Sequence, residues 1–180
     1  KLKCELLIKK YSKIYNFNYA ILRYFNVAGA SPTGKIGIVN KKNNSLFKIL
    51  AKQALKKKPV INIFGNRHNT NDGTCMRDFI HVSDLASIHL KSLEVLNKKK
   101  KAFLINCGYG KASSVLEIAN LFKKNINKLT KINFKKARKG EIVLSYSNAD
   151  KMKKILNWKP KYNDINLILK NAIKWENKLK

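Results

Sequence analysis

Cys4, Leu7, Ile8, Tyr11, Ile14 and Tyr15 recur at the three- and four-residue spacing of an amphipathic helix. That spacing predicts a helix over residues 1 to about 16, already under way at the first residue. Tyr19 to Phe25 then form a nearly continuous apolar run of strand length, the pattern of a parallel strand buried on both faces. Gly29, Pro32, Gly34 and Gly37 mark a loop. Leu46, Ile49, Leu50 and Ala54 give the next helix, and Pro59 ends it ahead of a strand from Val60 to Phe64. Arg77 to Val82 reads as one short strand, followed by a helix from near Ser83 carried by Leu85, Ile88, Leu93 and Leu96. Ala102 to Cys107 is another buried-type strand, and Ser114 with Glu117 makes a capping box that opens a helix through Leu121 and Ile126. Ile132 to Lys135 reads as a strand. Ala149, Met152, Ile155 and Leu156 form a short helix stopped before Pro160, and Ile165, Ile168, Leu169, Ala172 and Leu179 form a terminal one. Strands that alternate with helices make the class α/β.

At 180 residues the chain can bury one sizeable core. Its formal charge of +29 changes the picture only if the cations cluster by design. They are almost all lysine, scattered over predicted helix faces and loop ends, with Arg23, Arg67, Arg77 and Arg138 as the arginines. Base reading prefers planar arginine, and no aromatic-basic alternation accompanies the lysines. The excess of Lys, Asn and Ile is what AT-rich codons supply, so a solvated surface is expected and no nucleic-acid partner. No apolar run reaches the ~18 residues of a membrane helix, and the amphipathic start has no small-residue cleavage site, so a cytoplasmic protein without a membrane partner is expected. Cys4, Cys75 and Cys107 are odd in number and widely spaced, and His68, His81 and His89 make no H-E-x-x-H pattern. Neither a disulfide framework nor a metal site is expected.

The segment INIFGNRHNTNDGTCMRDFIHVSDL, from Ile61 to Leu85, carries the strongest chemical signal. Backbone from Asn62 and an aromatic wall from Phe64 suit a base or ribose, while Arg77 offers a planar fork of donors to phosphate oxygens. Tyr24, Phe25 and Asn26 close a strand, either as packing aromatics or at the carboxyl-end position where open α/β sheets bind ligands. Arg138, followed by Gly140 and Glu141, pairs a second arginine with a carboxylate able to accept from ribose hydroxyls. Gly108 and Gly110 imitate a dinucleotide loop, but the third glycine is absent, so they read as a strand-to-helix turn. His81 reads as a packed structural histidine and Asp84 as a residue that helps begin its helix.

Taken in order, KLKCE, LRYFNVAGA, IFGN, DGTCMRDFIHVSDL, the R-x-G-E turn and LNWKPKY resemble the UDP-glucose 4-epimerases of the extended short-chain dehydrogenase/reductase group from end to end of the chain. The resemblance implies the C-terminal part of a Rossmann-type doubly wound sheet plus a smaller α/β substrate-binding domain. Residues 1–26 and about 80–107 would join the Rossmann-type sheet, and about 27–79 and 108–180 mainly the substrate domain. It further implies a UDP-sugar held by Phe25, Asn26, Ser45, Leu46, Asn62, Phe64, Arg77, Phe79, Val115, Arg138, Glu141 and Ser145. Ser45 stands where Asn or His is frequent, Phe79 where Tyr is, and Glu141 where Asp is; the small Ser145 suggests tolerance of N-acetylated sugars.

NAD is the implied cofactor, met here by Lys1 and Tyr24. Lys1 aligns with the catalytic lysine of a Tyr-x-x-x-Lys pair whose tyrosine would precede it. The resemblance therefore implies a C-terminal half that alone neither holds NAD firmly nor epimerises, and a homodimer in the complete protein. A UDP-N-acetylglucosamine 4-epimerase and a non-catalytic nucleotide-sugar module are the alternatives.

Overall fold

A computed structural model describes residues 1–40 and 42–179. In chain order the first half runs α1 (Leu2–Tyr15), β1 (Ala20–Tyr24), β2 (Asn26–Ala28), α2 (Leu46–Ala54), β3 (Val60–Phe64), β4 (Met76–Arg77), β5 (Phe79–His81) and α3 (Val82–Lys99). The second runs β6 (Phe103–Cys107), β7 (Ser113–Ser114), α4 (Val115–Asn125), β8 (Lys131–Lys135), β9 (Leu144–Ser145), α5 (Asp150–Leu156) and α6 (Ile165–Lys178). Three parallel pairs, β1 with β6, β2 with β5 and β3 with β8, carry the α/β character. The short β4 lies between β7, antiparallel, and β9, parallel.

The single strand expected from Arg77 to Val82 is two strands in different sheets, divided at Asp78, and Val82 already belongs to α3. The division follows from hydrogen bonding. Asp78 N donates to Ser145 O at 3.0 Å on one side, while Asp78 O accepts from Asn26 N at 3.1 Å on the other. One residue thus hands the strand from the β9 ladder to the β2 ladder, and each backbone group still has a partner.

Two expectations of burial are corrected. Within β1 only Ile21 is buried, and Tyr24 is 54% exposed, so the strand is not covered on both faces. Helix α1 forms over the predicted span but buries none of its residues; Leu7, Tyr11, Ile14 and Tyr15 are all exposed. Its tie to the sheet is polar, through the Arg23 guanidinium on the Glu5 carboxylate.

Side chains of α2, β3, α4 and α6 meet in one apolar cluster around Leu50, Ile61, Phe122 and Ile168. A second cluster, around Ile88, Ile105, Met152 and Trp158, joins α3, β6 and α5. Each large side chain so buried contributes roughly 1.5–3 kcal/mol. The Ser114 capping box is present, with Glu117 N donating to Ser114 Oγ at 2.9 Å and Ser114 N to Glu117 Oε2 at 3.3 Å.

At α3 the N-cap is His81, whose Nδ1 accepts from Ser83 N at 3.0 Å, and burial holds the imidazole pKa below its ordinary value. Asp84 lies in the first turn, as expected of a residue that helps begin the helix. Asp84 also accepts from the Tyr109 hydroxyl at 2.6 Å and from the amides of Lys161 and Tyr162, which ties the segment after α5 to α3. His81 is the packed histidine expected, stacked on Tyr162 with ring centroids 4.7 Å apart.

Lys48 on α2 and Glu176 on α6 form a buried ion pair at 2.6 Å, and Lys48 Nζ also donates to Ile38 O at 2.8 Å. Lys48→Met strands the Glu176 carboxylate and is expected to cost about 3–5 kcal/mol, whereas Lys48→Met with Glu176→Leu recovers most of it. Chemical denaturation of the three proteins checks this. Additive losses in the double variant would exclude the pair as the cause.

Candidate functional site

A cavity of about 310 Å³ opens where the N-terminus of α2, the end of β3, β4 and the segment after β8 meet. That volume is within the range of small-molecule sites. Asn26, Ser45, Leu46, Asn62, Phe64, Arg77, Phe79, Val115, Arg138 and Glu141 all line it, so most of the expected binding residues converge on one place. Phe25 and Ser145 do not: Phe25 follows β1, and Ser145 pairs with Arg77 across the β4–β9 ladder without reaching the lining. Lys1 and Tyr24 also lie outside it, on exposed surface.

Local structure explains each position. Ser45 is the N-cap residue of α2 in extended conformation, yet its side chain makes no cap hydrogen bond, and the first turn holds no acidic residue. The amide end of α2 is therefore turned to the cavity without an internal anion, and such an end attracts phosphate. Also in the lining, Arg77 Nη1 donates to Met76 O at 2.9 Å and Val143 O at 3.2 Å, which orients the rest of its guanidinium. Arg138 lies with Cζ 4.0 Å from the centre of the Phe64 ring, a cation–π contact that seats the guanidinium on an aromatic wall. Two arginines and a helix N-terminus line the cavity together with apolar Phe64 and Val115 and the carboxylate of Glu141. This arrangement suits an anion joined to a planar ring and hydroxyls.

Cys75 lines the same cavity and was not among the residues expected there. Strand alternation around Arg77 held the signal, because residues 75, 77 and 79 share one face. Burial, and after it the neighbouring Glu141, push the Cys75 thiol pKa up. The Gly108–Gly110 turn holds no ligand cradle. The buried Asp78 carboxylate accepts from Tyr109 N and Gly110 N at 3.0 Å, the place that a phosphate takes in a dinucleotide loop.

The family model described as NAD dependent epimerase/dehydratase family matches residues 1–108. A curated UDP-glucose 4-epimerase of Azospirillum brasilense is 35% identical over 99% of the chain and 51% of its own length. The crystal structure of UDP-glucose 4-epimerase from Bifidobacterium longum in complex with NAD+ and UDP superposes with a TM-score of 0.88 at 30% identity, over 99% of this chain and 53% of that one. The UDP-Glc/GlcNAc 4-epimerase of Campylobacter jejuni gives a TM-score of 0.78 at 39% identity, over 99% and 54%. The chain spans about half the length of the relatives it matches.

Proposed function

The chain belongs to the NAD dependent epimerase/dehydratase family, and from that premise we propose that it supplies the UDP-binding part of a UDP-glucose 4-epimerase. One observation carries the reading: Arg77, Arg138 and the uncapped N-terminus of α2 converge on a cavity whose other walls are Phe64 and Val115. The arginines and α2 hold the diphosphate, Asn62, Phe64 and Val115 the uracil, and Glu141 the ribose hydroxyls. A firm grip on UDP leaves the hexose free to present either face, which is where binding energy serves an epimerase best.

Bound NAD would supply the hydride acceptor and donor for this chemistry. Lys1 and Tyr24 are two exposed side chains that fit contact with one side of such a cofactor but not its enclosure. Residues 1–26 and about 80–107 are assigned to the NAD-facing sheet, the remainder mainly to the substrate domain. The exposed row Leu7, Tyr11 and Ile14 on α1 supports its being covered in the complete enzyme, in a homodimer. The 39% identity to a Glc/GlcNAc epimerase favours activity on UDP-N-acetylglucosamine as a second reading, and Ser145 is the residue assigned to that tolerance.

Titration calorimetry on the complete protein is expected to show UDP binding at least about tenfold tighter than uridine, a difference of 1.4 kcal/mol or more from the diphosphate. Proton NMR is expected to show UDP-glucose converting to UDP-galactose with NAD present. Equal affinity for UDP and uridine would exclude the assigned phosphate site. Tight UDP binding without turnover of either UDP-sugar would leave a binding module in place of an epimerase.

A further inference from the structure

We propose that His68, Cys75 and Glu141 form a binding site for a thiophilic divalent cation of the zinc class, set into the wall of the cavity. Their ligand atoms all lie within 4.8 Å of one another, so one ion reaches all three after small side-chain adjustments. Two potential ligand atoms of these residues, His68 Nε2 and Glu141 Oε2, are buried and have no hydrogen-bond partner, and Cys75 is only 3% exposed. Orphaned buried polar atoms each cost about 1–3 kcal/mol, and a single cation between them satisfies both.

The surrounding arginines do not already serve this purpose. Arg138 lies over Phe64, and Arg77 Nη1 is bonded to two backbone carbonyls, so Glu141 Oε2 stays unpartnered although both cations line the same cavity. The donor set is sulfur, imidazole nitrogen and carboxylate oxygen, which selects zinc-like ions over magnesium or calcium. A thiolate and a carboxylate together neutralise a divalent charge, which lets the ion sit beside two guanidinium groups.

The backbone builds the site in advance. His68 N donates to Gly73 O at 3.0 Å, Thr70 N to His68 O at 2.8 Å, and Thr70 Oγ1 to Thr74 O at 2.8 Å, which closes residues 68–74 into a tight loop ahead of Cys75. Gly65, at φ +78°, leaves the space that the imidazole enters, because a β-carbon there would collide with His68 Nε2. Three protein donors leave the fourth tetrahedral position open towards the cavity, which Cys75 and Glu141 also line. The site stands whether or not the cavity takes a nucleotide.

The test is cobalt and zinc titration of the complete, untagged, chelator-treated protein in a Cys4→Ser background, which removes the exposed thiol. One Co²⁺ per chain is expected, with a thiolate-to-cobalt charge-transfer band and four-coordinate visible absorption. Cys75→Ser should abolish that band, and His68→Phe and Glu141→Gln should each weaken affinity at least about tenfold. Zn²⁺ should raise the Tm of the background protein. Absence of the band, or a band that survives Cys75→Ser, overturns the proposal. Should Cys75→Ser fail to fold, the other two variants decide, and parent-like cobalt affinity in both overturns it equally.

Discussion

Asp78→Ala is expected to destabilise the protein by about 3–5 kcal/mol, although the residue touches no expected ligand. Its side chain is completely buried and its carboxylate gathers four donors: Tyr109 N and Gly110 N at 3.0 Å, Ser147 N at 3.2 Å and Ser147 Oγ at 2.7 Å. Removing the carboxylate leaves the buried Ser147 amide and the part-buried Tyr109 amide without their acceptor, beside the one residue shared by the β9 and β2 ladders. The loss therefore reaches both sheets and the turn after β6. Asp78→Asn keeps one acceptor oxygen but brings an NH₂ group against the remaining donors, so it should recover only part of the loss. Denaturant unfolding of the two variants checks the ordering, and an alanine variant within about 1 kcal/mol of the parent would refute the role given to Asp78.

Loss of Arg138 is expected to have the largest effect on binding. A charged hydrogen bond is worth about 1.5–3 kcal/mol, so Arg138→Ala should weaken UDP by roughly 10- to 100-fold. Arg138→Lys should recover little, because an ammonium loses the forked geometry and much of the guanidinium contact with Phe64, whose ring centre lies 4.0 Å from Cζ. Uridine is the control. If calorimetry finds uridine and UDP weakened equally, Arg138 supports the ring and not the phosphate, and the assignment of the diphosphate to this wall fails.

How much of this was legible in the sequence depended on the range of the interaction. The helices were placed well because their spacing records one buried face, and the Ser114–Glu117 capping box is a contact over three residues. Most of the expected ligand-facing residues do line one cavity, since the motifs that name them come from strand ends and helix starts at the same rim. Phe25 and Ser145 fall outside it because a strand side chain changes face with each residue, and pattern alone does not set which face the cavity takes. The apolar spacing of α1 predicted a buried face that the described residues do not cover.

The sequence by itself determined the α/β class, the order of the helices and longer strands, and the set of arginines and aromatics that line one cavity. Tertiary structure alone decided that Asp78 divides a strand, that Asp84 in the first turn of α3 also holds the amides of Lys161 and Tyr162, and that His68, Cys75 and Glu141 meet. The reason is physical. Periodicity reports how a residue is buried within its own element, whereas a buried carboxylate or thiol is defined by the partners that close around it. For Asp78 and Ser147 those partners are 69 residues apart along the chain.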